Sequence, residues 1–186
     1  MSRSPLRRRL PRPTRTMFGS PTADPPPREA RRPSVAGHRV IGAKHVREGR
    51  PCQDAIRIAE ANGTCLAAAI ADGHGSSIHA EAGSQLAVEL TTEALLAFAS
   101  GLTAEQRADA RAVHTFAQDP LRRQLVREWI ARVRVEAGSE SVELKDFGTT
   151  LLFVLLLPEL VLVGQLGDGD ILIVDHKGAV SRPLPS

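Results

Sequence analysis

From Val35 onward, apolar and polar positions along the chain follow two periods in turn. "AIRIAE", "ANG" and "TCLAAAIAD" read as two strands joined by a turn at Asn62-Gly63, a favoured hairpin pair. After the glycines the period lengthens. Ile78, Ala82, Leu86, Leu90, Ala94 and Phe98 fall near one face of a helix predicted over about Ile78 to Phe98. A second helix is predicted to start at Asp119 as N-cap, with Pro120 in its first turn. Leu121, Leu125, Trp129 and Val133 recur every four residues there, Val126 and Ile130 widen the stripe, and the whole reads as core. The last third is strand and turn: "GTTLLFVLLL", Pro158-Glu159, "LVLVGQL", "GDGD", "ILIVD" and "HKG" read as an antiparallel meander. Its first strand is almost continuously apolar, which predicts burial on both faces. Strands, helices and strands in that order predict an α+β fold with helices covering sheets.

Composition divides the chain. Residues 1–34 hold eight of the thirteen prolines and nine arginines, a net charge of +7, while the remainder carries −4. Such a segment buries too little apolar surface to offset its ordering entropy, so it is expected to be a disordered tail ahead of a domain over residues 35–186. The basic sequence pI therefore describes the tail and gives no nucleic-acid footprint to the fold. Phe18 is the only tail aromatic available to stack on bases, so a nucleic-acid partner is not expected. No apolar run has the length of a membrane span, and the N-terminus lacks the apolar stretch of a secretory signal. Cys52 and Cys65 lack metal or redox spacing, which fits a cytoplasmic protein.

The chemistry gathers at strand–turn junctions. Asp54 opens the first strand of the predicted hairpin and Asp72 closes the second, so antiparallel pairing sets both at one rim. Mg²⁺ or Mn²⁺ commonly takes one or two carboxylates plus waters. Gly73 would let a backbone carbonyl approach such an ion. His74 would lie one side chain away, placed to give a proton to a leaving alkoxide. Read alone, "DGHG" is equally a hydrated turn. "GDGD", with Asp168 and Asp170, reads first as a hairpin turn, and His38, His79, His114 and His176 show no paired spacing.

Taken in order, "GAKHVREGRPCQDAI", "AIADGHGSSIHAEAGSQLAV", "DFGTTLLFVLL" and "GQLGDGDILIV" resemble the metal-dependent (PPM-type, type 2C) serine/threonine phosphatases, particularly their bacterial branch. The resemblance covers about residues 36 to 180. It implies a four-layer αββα sandwich, two antiparallel sheets face to face with helices outside. It implies Asp72 as the carboxylate bridging two Mn²⁺ or Mg²⁺ ions, Gly73 as a carbonyl in the same shell, and Asp54 as a direct or water-mediated ligand. His74 matches a general acid, and Asp168 a mainly structural motif. The implied reaction is hydrolysis of phosphoserine or phosphothreonine in a protein substrate by a metal-activated water, without a phosphoenzyme.

The chain departs from the family pattern twice. Five residues before Asp54, where the family usually has a phosphate-binding arginine, stands Gly49; His45, Arg47 and Arg50 are the nearby substitutes. The later "SDG"-like and "DN"-like aspartates do not occur, so the sandwich is expected to be incomplete at its C-terminal side, with sheet edges and apolar residues left exposed. The alternative to an active phosphatase is accordingly a catalytically inactive relative that binds phosphoproteins or regulates a partner.

Overall fold

The computed structural model describes residues 33–61, 63–138 and 142–184. The expected tail lies outside the described residues except for Pro33 and Ser34, which are exposed. A short helix α1 (Ala43–Glu48) precedes the hairpin β1 (Ala55–Ala61) and β2 (Cys65–Ala71). Helices α2 (Ala80–Gly101), α3 (Ala104–Ala108), α4 (Ala110–Phe116) and α5 (Arg122–Glu136) follow, then a 3₁₀ turn over Leu144–Phe147. Strands β3 (Leu151–Leu156), β4 (Val161–Leu166), β5 (Ile173–Val174) and β6 (Val180–Ser181) complete the order. Among the described residues, no helix is long and apolar enough to cross a membrane.

Strands β1 to β4 form one antiparallel sheet in sequence order, and β5 and β6 a separate two-stranded ribbon. The mixed α+β class with antiparallel pairing is as the pattern implies. The hairpin closes as predicted, with Ala61 opposite Cys65 and Gly63 at φ +64°, a backbone that glycine adopts without a Cβ penalty. Asn62 of that turn lies outside the described residues.

One face of the sheet carries the helices. Ala55, Ala67, Ala69, Ala71, Leu151, Leu155 and Leu162 are buried beneath Ala87, Val88, Ala94, Leu95 and Ala99 of α2. Helix α2 buries the predicted stripe only in part, at Leu90 and Ala94. Its fully buried line runs through Ala80, Ser84, Val88, Thr91, Thr92, Leu95 and Ala99, whereas Ile78 is 79% exposed and precedes the helix. The reason is fit: short side chains let the helix press onto a sheet paved with alanine, and the larger Leu86 and Phe98 fall to its flank. Gly83 takes this furthest, because a Cβ there would overlap the backbone of Phe147.

The second helical segment also starts differently. Asp109 is the N-cap, its Oδ1 accepting from Arg111 N (3.0 Å) and Ala112 N (3.1 Å) at the head of α4. Asp119 and Pro120 lie inside a π-helical turn, Ala117–Leu121, between α4 and α5. Proline cannot donate an intrahelical bond, and the wider turn accommodates it without ending the helical run. Freed from capping, Asp119 Oδ1 accepts from Arg123 Nε at 2.7 Å. The stripe itself is in place: Leu121 and Val133 are buried, and Leu125 and Trp129 half-buried.

The opposite sheet face is lined by Ile56, Ile58, Ala68, Ile70, Leu152, Val154 and Val163, which stand opposite one another in register. No described helix covers it, and β3 is accordingly less enclosed on this side than on the other. Two segments lie against it. Gly37 passes over Ile56 and Ile58, and Gly169 sits against Leu152.

Candidate metal and phosphate site

The hairpin register decides the site. Ala55 stands opposite Ala71, so Asp54 and Asp72, one step further out, share the same end of the sheet. Asp72 is fixed through its backbone to the start of β3. Its N–H donates to Thr150 Oγ1 (3.0 Å), and its carbonyl accepts from Thr150 N (2.9 Å) and Thr149 Oγ1 (3.0 Å). Gly73 pairs with Thr149 as an isolated bridge and donates its N–H to the Gln53 carbonyl at 3.2 Å. Glycine is needed here for close approach: a Cβ would lie 2.6 Å from Gln53 O and 2.9 Å from both Ala80 Cβ and Ala80 O. His74 N donates to Gly148 O at 2.8 Å, and the His74 side chain is left exposed beside Asp72.

Beneath this loop lies Gln53, only 4% exposed. Its carbonyl also accepts from Ser84 Oγ of α2 at 2.6 Å, while its Nε2 reaches Ser77 O at 3.4 Å. Strand, loop and helix thus meet at one residue.

Asp168 arrives from the far side. Gln165 Nε2 donates to Gly167 O (2.9 Å) and Gly169 O (3.0 Å), curling the "GDGD" turn back over the sheet end. Both glycines have positive φ, +83° and +121°, so the curl depends on them. Asp54, Asp72, Asp168, Thr150, His38 and Arg39 line a cleft of about 340 Å³. Loss of hydration first, and then the hydrogen-bonded and negatively charged Asp54, push the Asp72 carboxyl above its ordinary pKa. Asp168 adds to the rise and His74 opposes it. Two carboxylates facing each other at a sheet end are the hard oxygen donors that Mg²⁺ or Mn²⁺ takes, with waters completing the shell. Among the described residues they form a pair and not a cage: no group of three or more His, Cys, Asp or Glu is placed to hold an ion.

The residues expected to meet phosphate are distributed unevenly. Arg50 Nη2 donates to Gly75 O at 2.9 Å, which brings its guanidinium to the "DGHG" loop. His45 and Arg47 lie on α1, and neither side chain hydrogen-bonds to a described residue of that loop. Sequence reasoning missed Arg39, whose Nη1 donates to the Asp54 carbonyl at 2.7 Å and which lines the cleft. It also gave no role to Gln53, Thr149 and Thr150. "CQDA" and "DFGTT" stood out as strings, but the Thr149 and Thr150 hydroxyls meet a residue 77 and 78 positions away, a pairing that no local pattern encodes.

No curated protein and no solved structure matches the chain. A sequence profile of the family described as protein phosphatase 2C matches residues 41–186, which takes in every acidic and histidine residue of the cleft rim except His38. Over most of its length, then, the chain belongs to the protein phosphatase 2C family.

Proposed function

We propose that the chain hydrolyses phosphoserine or phosphothreonine in protein substrates, in the cytoplasm, with Mn²⁺ or Mg²⁺ held by Asp54 and Asp72. The observation that carries this reading is the facing pair of carboxylates at the end of the β1–β2 hairpin, with Asp72 fixed through its backbone to β3. A divalent ion there would supply a water acidic enough to act as nucleophile at neutral pH. Gly73, pinned by Gln53 and Thr149, sets the direction of the loop, and its carbonyl is the third oxygen assigned to the ion. Exposed His74, held through its backbone to Gly148, gives the proton to the departing serine or threonine oxygen. Arg50, joined to the same loop, is the first candidate to bind the phosphate through paired N–H donors, ahead of His45 and Arg47. Asp168 is assigned a supporting part, its charge facing Asp72 from the curled turn.

A second reading has its own observation. Among the described residues no group of three or more His, Cys, Asp or Glu is placed to hold an ion, which favours a relative that binds phosphoproteins without turning them over. Turnover of p-nitrophenyl phosphate separates the two. The catalytic reading expects Mn²⁺-dependent release of p-nitrophenol that Asp72→Asn abolishes and His74→Ala lowers by about 10²-fold or more. Purified chain that shows no Mn²⁺-dependent turnover but still binds a phosphopeptide establishes the second reading instead.

A further inference from the structure

Away from the acidic cleft, a cavity of about 310 Å³ lies between α2, α5 and the start of β3. Its walls include Leu90, Leu125, Trp129 and Leu151, and Leu144 and Leu166, which are 37% and 60% exposed, also line it. The lining is almost wholly apolar, and its size is at the lower end of small-molecule sites, about 300–1,000 Å³. If each methylene takes about the space of one water, about 30 Å³, it holds a chain of roughly ten carbons.

The surroundings select the other end of the ligand. Val126 and Ile130 line both this cavity and a shallow groove on the outer side of α5, so the two adjoin along that helix. That groove is walled by Arg122, Arg123, Arg127 and Arg134, all exposed. Asp119 engages the first two, at 3.8 Å and 2.7 Å. Arg127 and Arg134 make no ion pair among the described residues. An apolar cavity that adjoins a groove bearing Arg127 and Arg134 is complementary to an aliphatic chain with a carboxylate head.

We propose that this cavity binds a single-chain aliphatic carboxylate of about ten carbons, the chain between α2 and α5 and the head against Arg127 and Arg134. The site has a physical route to the acidic cleft. Gly148 and Thr149 form part of its wall, and they are the residues that hold His74 N and the Asp72 carbonyl. The proposal does not depend on whether the chain turns over phosphate.

Trp129 is the chain's only tryptophan and lines the cavity, so its emission reports occupancy directly. Titration with decanoate below its micelle concentration is expected to shift Trp129 emission saturably, with 1-decanol weaker by about fivefold for want of the charged contacts. Arg127→Glu with Arg134→Glu, both on the surface, should weaken decanoate by at least that factor and leave 1-decanol unchanged. Ala87→Leu, which narrows the cavity wall, should weaken both ligands; should that variant not fold, the charge-reversal pair decides alone. No saturable change with decanoate would overturn the proposal. So would equal affinity for the acid and the alcohol that the charge reversal does not alter.

Discussion

Asp72 is held in place by its backbone and left electrostatically uncomfortable at its carboxyl. Thr149 and Thr150 satisfy its main chain, while Asp54 and Asp168 crowd it with like charge. Because its pKa in the fold lies above the unfolded value, whatever stability this group contributes is fully present below the unfolded pKa and is lost as pH rises through the folded one. The metal-free chain should therefore lose stability relative to Asp72→Asn as pH climbs through that window, and no further above it. Urea midpoints of the two proteins at pH 4 and pH 7 check this: the gap in favour of the variant should widen at pH 7. A gap that is constant or closes would show that Asp72 is not strained by its neighbours. The residue types at the rim were legible in the sequence, since a hairpin ending in Asp on both sides sets them together whatever else the fold does. Arg39 was not, because its approach to Asp54 depends on how residues 33–42 cross the sheet, and no periodicity encodes that path.

At the scale of elements, α2 is the piece that brings the two halves of the site together. It anchors Gln53 through Ser84, and at Gly83 it lets the Phe147 backbone come close enough for Gly148 and Thr149 to reach the acidic loop. Trp129 Nε1 of α5 donates to Gly83 O at 3.1 Å and closes the same joint. In an open helix, Gly→Ala stabilises by about 0.5–1 kcal/mol. At Gly83 the added methyl meets backbone that cannot rotate away, and overpacking of this kind costs about 1–3 kcal/mol. Gly83→Ala is thus expected to lower stability by about 1–2 kcal/mol by urea unfolding; a stabilised variant would mean the contact is loose. The types and approximate spans of β1 to β4, α2 and α5 followed from the apolar periods, whereas α1, α3 and α4 were not read from them. The buried face of α2 followed only in part: Leu90 and Ala94 of the predicted stripe are buried, but so are Ala80, Ser84, Thr91 and Thr92, small or polar residues to which a hydrophobicity pattern gives little weight. The start of the second helical segment was misplaced for a related reason: Asp119-Pro120 has the composition of a helix start, and only the π turn shows how proline fits within the run.

Across the whole molecule, apolar surface is shared unequally between the two faces of the sheet. The helix side buries most of its strand residues, while on the other side Ile70 is 46% and Val161 55% exposed. An apolar sheet face in water favours association. Ile70→Thr with Val161→Lys should raise the onset temperature of aggregation, followed by light scattering, without changing the far-ultraviolet dichroism. An unchanged onset would locate association elsewhere. The α+β class and the antiparallel order were open to reading from the sequence, because turn chemistry and strand period agree there. The shape of the acidic cleft was not, since it is assembled from the hairpin, β3 and the curled "GDGD" turn, which lie far apart in the chain.

The central claim is that Asp54 and Asp72 are a divalent-cation site, and thermal unfolding with and without Mn²⁺ tests it most directly. At about a hundred times its dissociation constant, a ligand of the folded state adds about 2.7 kcal/mol. For a domain of this size, that corresponds to a rise in Tm on the order of 5–10 °C. The wild-type chain should show this rise, whereas Asp72→Asn should show almost none while unfolding no earlier than wild type in the absence of metal. Equal stabilisation of both proteins by Mn²⁺, or no stabilisation of the wild type, would contradict the assignment.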